Sequence, residues 1–80
     1  MNDLKKKIQA IVDIYMSGDS FKAEALCKDI MLKEPKIVFL HNLLGLIYVA
    51  QKKIILAIKS YEKGLEIDPK NSLIYNNLGL

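Results

Sequence analysis

The sequence predicts an all-α fold of five helices, in which helix–turn–helix units stack side by side as an α-solenoid. Three observations carry that expectation. When the 80-residue chain is slid against itself by 34 positions, seven pairs coincide, among them Pro35 with Pro69, Ala23 with Ala57 and Gly45 with Gly79. A period of roughly 20–50 residues marks a stacked-repeat architecture. The chain has four glycines and two prolines, which leaves little room for the many tight turns of a β-sandwich. Its 26% of charged residues, beside 51% hydrophobic ones, is a globular composition rather than a disordered one.

The elements follow in order. Asn2 or Asp3 can cap a first helix running to about Ser17, and Gly18-Asp19-Ser20 supplies a stop and a fresh cap. A second helix runs from about Ser20 to Lys33. Pro35 then forbids continuation, because proline lacks the N–H and disfavours α geometry at Glu34. The third helix covers about Ile37 to Ala50, and Gln51-Lys52-Lys53 forms the turn after it. A fourth runs from about Ile54 to Ile67 and stops before Pro69. Asn71 or Ser72 caps a fifth, which the chain end cuts at Leu80.

The faces of the fourth helix are separable. Ala57, Tyr61, Gly64, Leu65 and Asp68 share one side, and Lys59, Glu62, Lys63 and Glu66 form the polar stripe opposite. Ala57 and Gly64 are small, which lets a neighbouring helix approach closely. Gly64 costs about 1 kcal/mol of helix propensity relative to Ala, so a packing reason is expected. The third helix is apolar nearly all round, which places it between other helices.

Composition excludes several functions. A chain this short is one domain. Its formal net charge is +3, and all 12 cations are lysine. Without arginine, the preferred fork for phosphate and guanine, nucleic-acid binding has thin support. A single cysteine makes neither an internal disulfide nor a zinc site. No secretion signal is visible. The longest apolar stretch, Ile37 to Ala50, is too short for the ~20 residues of a membrane span. The expectation is therefore a cytoplasmic protein with no nucleic-acid or membrane partner, no cofactor and no metal.

The residues resemble the tetratricopeptide repeat (TPR) family. In the unit 38–71, Leu44-Gly45 and Tyr48 match the family's first-helix core slots. Ala57, Tyr61 and Gly64 match its second-helix slots, and Asp68-Pro69 its closing turn. His41 stands where the family usually has an aromatic residue. The unit 4–37 is degenerate, with Ala10-Ile11 for Leu-Gly and Cys27 for the aromatic residue. The unit 72–80 is partial. Lys52 replaces the family's turn glycine, which points to a strained or looser hairpin. The resemblance implies a single TPR domain over 1–80, wound as a right-handed superhelix. First helices then line a concave groove that binds peptides or proteins, without catalysis.

By that resemblance the groove is lined by Ile8, Val12, Tyr15 and Met16 of the first helix. Phe39, Asn42, Leu43, Leu46 and Val49 of the third join them, with Leu73, Asn76, Asn77 and Leu80 of the fifth. Some relatives hold a chaperone's C-terminal carboxylate with a Lys/Asn/Arg clamp. The matching positions here are Ile8, Val12, Leu43, Leu73 and Asn77, and an anion buried among them would go uncompensated. The expected partner is an apolar or amphipathic segment, with Asn42 and Asn76 bonding its backbone. The alternative is a structural segment whose open repeat ends stack on further repeats or on other copies. His41 to Gly45, with the degenerate first unit, is similar to N-terminal repeats of some bacterial proteins that precede a sulfo- or glycosyltransferase domain. Transferase chemistry would then lie outside these residues.

Catalytic readings are weaker. His41 has no carboxylate or nucleophile among its helical neighbours, and Cys27 shares the buried face with Ala23, Ile30 and Met31. Lys5-Lys6-Lys7 reads as a solvated first turn. The four tyrosines fall at core spacing rather than forming a stacking platform.

Overall fold

The computed structural model describes residues 2–79, with helices and turns but no strand among them. Helix α1 spans Asn2–Met16, α2 Ser20–Lys33, α3 Val38–Ala50, α4 Ile54–Ile67 and α5 Ser72–Leu78. α1 packs on α2 and α3 on α4 as hairpins, and α3 also touches α1, α2 and α5. That central place explains its composition: Leu40 to Gly45 are buried without interruption, which only a helix covered on most sides requires. The Cα envelope measures 32 × 27 × 18 Å, and its short dimension is that of two helix layers with axes roughly 8–10 Å apart.

The hairpin turn is built twice on one plan. In the first, Gly18 donates its N–H to the Tyr15 carbonyl at 3.0 Å and Asp19 donates to Ile14 at 3.2 Å. In the second, Lys52 donates to Val49 at 2.9 Å and Lys53 to Tyr48 at 2.8 Å. The corner residue is left-handed in both, with φ +100° at Gly18 and +62° at Lys52. Lys52 thus keeps the glycine geometry, and its Cβ carries a strain of roughly 1 kcal/mol.

The two proline turns also match. Glu34 and Asp68 end α2 and α4 with N–H bonds to Ile30 and Gly64, each 2.9 Å. Six residues beyond each proline a side chain reaches back. His41 Nε2 donates to the Pro35 carbonyl at 2.7 Å, and Tyr75 Oη donates to that of Pro69 at 2.8 Å. His41 is therefore more than a packed substitute for an aromatic ring, because it closes the turn by a hydrogen bond. Tyr75 does the same from a site 36% exposed, so its ring is not the core tyrosine that spacing suggests.

Capping narrows two expectations. Asp19, not Ser20, caps α2, accepting from the Lys22 N–H at 3.0 Å. Asn71, not Ser72, caps α5, accepting from Ile74 N–H at 3.0 Å while donating to Asp68 Oδ2 at 3.1 Å. Asn2 and Asp3 lie inside the first turn of α1 rather than ahead of it. The expected end of the fifth helix at Leu80 lies outside the described residues. The helix closes at Leu78, with Gly79 at φ +80°.

Small residues make the close approaches. Ala23 and Ala57 are almost wholly buried. A Cβ on Gly45 would collide with the Tyr61 ring, and one on Gly64 would fall 2.5 Å from Ile74 Cδ1 and 3.3 Å from His41 Cβ. One period earlier, the pair Gly45 and Tyr61 becomes Ile11 and Cys27, both fully buried. Volume moves from the second helix to the first, so the departures in the degenerate unit offset each other.

Candidate functional site

The first helices of successive hairpins lie side by side, since α3 packs on α1 behind it and α5 ahead. On α3, Phe39 and Val49 are exposed and Leu46 is half-buried. Their spacing of i, i+7 and i+10 sets them in one stripe. On α1, Ile8, Val12 and Tyr15 are half-buried against the core, with Met16 open beyond them. On α5, Leu73 and Asn76 are exposed. Leu80 lies outside the described residues.

Two expected lining residues are instead interior. Leu43 is 4% exposed and joins the core with Leu40, Leu44 and Ile47. Asn42 is 8% exposed, and its Oδ1 accepts from Asn77 Nδ2 on α5 at 2.7 Å. For Asn42 the cause is α5, which closes over this part of α3, whereas Leu43 is taken up by the core. Asn42 becomes a strut between neighbouring first helices, leaving Asn76 as the open amide.

A second polar link was not apparent from the sequence. Gln51, read there only as a turn residue, donates its Nε2 to Glu24 Oε1 at 2.9 Å and to the Ser20 carbonyl at 3.3 Å. Glu24 in turn pairs with Lys28 at 2.9 Å, and Lys28 Nζ stands 5.6 Å above the Tyr48 ring. The Lys28 hydrogen bond holds the Glu24 carboxyl below its ordinary range, against the opposing pull of burial and with help from Gln51. A depressed carboxylate stabilises the fold at neutral pH, and that contribution fades as acid protonates it. The i, i+4 pair Glu24 and Lys28 is visible in sequence, but Gln51 lies 27 residues away in the chain and gives no local signal.

The candidate catalytic groups are poorly equipped for chemistry. Burial pushes the Cys27 thiol up to about 11, and its sulfur sits 3.7 Å from Met31 Sδ and 3.6 Å from the Leu40 carbonyl. Nucleophilic cysteines need an accessible, positive setting. Among the described residues His41 Nδ1 is buried without a hydrogen-bond partner, and Nε2 is committed to Pro35. No group of three His, Cys, Asp or Glu residues is placed to hold a metal among the described residues. None of the described helices is long and apolar enough to cross a membrane.

Equal hairpins stacked with their first helices abreast define a helical-repeat scaffold. A family model for the TPR repeat matches residues 41–80, half of the chain, and the chain belongs to the TPR family. TPR repeats are generally non-catalytic units that mediate protein–protein binding. The match starts at His41, leaving the first hairpin outside it. A search of curated proteins returned no match.

Proposed function

We propose that this protein is a non-catalytic interaction module, working in the cytoplasm, that takes an apolar or amphipathic segment of a partner protein along its concave first-helix face. The observation that carries this reading is the stripe of Phe39, Leu46 and Val49 on α3, with Leu73 exposed on the adjoining α5 and Val12 and Tyr15 half-buried on the adjoining α1. Phe39 is 48% exposed and Leu73 59%, and contiguous apolar surface of this kind marks interfaces. Asn76 is the group available to bond the partner's backbone. Binding energy concentrates in a few central aromatic and aliphatic anchors, so Phe39 is the residue whose loss should cost most.

The test is titration of a labelled amphipathic helical peptide that carries no net negative charge against the wild type and against Phe39→Glu and Leu46→Asp. Each substitution is expected to abolish binding while helicity is unchanged. Affinity equal to wild type would contradict the assignment. A second reading, stacking of open repeat ends on other copies or further repeats, is favoured by Ile55 and Ile58 of α4, which are 72% and 41% exposed. Sedimentation across concentration separates the two. Mass rising with concentration supports stacking, whereas a monomer throughout removes it.

A further inference from the structure

We infer that the opposite, convex side of the molecule carries a second docking site, a cleft between α2 and α4 that takes an acidic amphipathic helix of a partner protein. The cleft has a volume of about 780 Å³. Leu44 and Tyr48 of α3 form its floor, Leu32 belongs to the α2 wall, and Leu56, Lys59 and Lys63 to the α4 wall. The pair of walls is a consequence of the repeat. Each second helix packs against the first helix of the next hairpin, so α2 and α4 both lean on α3 with no close backbone approach between them.

Further hairpins would not fill this space. The next first helix, α5, packs on α3 and α4, so a following second helix belongs on the side of α4 away from α2. On that repeat geometry a following hairpin leaves the cleft open. Its apolar surface is ready for contact, since Leu32 is 82% exposed and Leu56 42%. A helix lying across two helices over a third packs by the same ridge-and-groove geometry that builds the fold.

Charge selects the occupant. Lys59 and Lys63 stand one turn apart on α4, and neither makes an ion pair among the described residues. Lys28, also in the lining, is already neutralised by Glu24 at 2.9 Å, and Asp29 is the lining's one acid. Two free ammonium groups beside an apolar floor fit a helix with leucine-like residues on one face and carboxylates along its edge. Complementary charge of this kind sets specificity and association rate. The site is independent of the concave stripe and shares no residue with it.

The experiment uses a fluorescein-labelled peptide of about 15 residues, long enough to hold a helix. It carries leucines on one face and glutamates on the other, and a control peptide replaces every glutamate with lysine. The acidic peptide is expected to bind at least about tenfold more tightly than the basic one, and to weaken as salt rises. Lys59→Glu with Lys63→Glu should weaken it by about tenfold or more, and so should Leu32→Asp, whereas Phe39→Glu should leave it within about twofold. All four residues are exposed, and circular dichroism checks that each variant keeps its helicity. The inference is overturned if the acidic peptide fails to bind or the two peptides bind equally. It is also overturned if the lysine reversals have no effect, or if Phe39→Glu is the change that releases the acidic peptide.

Discussion

Gly45 and Gly64 both lie at helix contacts, yet what they face differs. Gly45 is pressed by the flat ring of Tyr61, a buried side chain that is 2% exposed. A methyl group there must displace a ring with nowhere to go, so Gly45→Ala is expected to destabilise by about 1–3 kcal/mol. Gly64 faces the Cδ1 tip of Ile74, the flexible end of a buried side chain, with His41 Cβ at 3.3 Å beside it, so a methyl group there costs less than one against the ring. Gly64→Ala also gains about 1 kcal/mol of helix propensity, so its net effect should lie near zero. Urea melts of the two variants check the contrast, and equal losses would mean that the ring is not the obstacle. Cys27 offers a second check at this scale. Its thiol is buried and raised to about 11, so a thiol reagent at neutral pH should label the native protein far more slowly than the unfolded one. Labelling of native protein at the unfolded rate would place Cys27 outside the core.

The hairpin turns show how an element can be preserved by its backbone after its preferred residues are gone. Gly18-Asp19 supplies a left-handed corner and a cap whose carboxylate accepts from Lys22 N–H. Lys52-Lys53 holds the same corner at φ +62°, and Lys53 offers α4 no side-chain cap. Transplanting the first turn into the second, as Lys52→Gly with Lys53→Asp, should relieve the corner and add an N-cap. The expected gain is about 1–2 kcal/mol, somewhat reduced by the freedom glycine adds to the unfolded chain. It is also reduced by loss of Lys53 Nζ from its place 5.6 Å over the Phe21 ring. A higher denaturant midpoint at unchanged slope would confirm this, and a lower midpoint would show that Lys52 is not strained.

At the scale of the molecule, much of the fold was legible because its punctuation is local. Prolines end helices by removing an N–H, a left-handed corner ends others, and the 34-residue period places each element against the next. The boundaries of α2 and α4 follow directly from Pro35 and Pro69. The interior polar links were not legible, since His41 to Pro35, Asn42 to Asn77 and Gln51 to Glu24 depend on how hairpins meet. The same limit applies to the candidate site. The apolar stripe of α3 could be read from spacing, but burial of Asn42 depends on where α5 settles, and that of Leu43 on how the hairpins close around α3. The offset of Ile11 and Cys27 against Gly45 and Tyr61 becomes clear only when both helices of a hairpin are seen together.

The central claim is that stacking consumes one side of each first helix and leaves the other free to grip a partner. Its most direct measurement is a ¹⁵N-labelled NMR titration with an amphipathic helical peptide that carries no net negative charge. The account predicts amide shifts clustered at Phe39, Leu46, Val49 and Leu73, with the α4 stripe of Glu62 and Glu66 unmoved. Shifts confined to α2 and α4, with the α3 stripe silent at saturation, would contradict it.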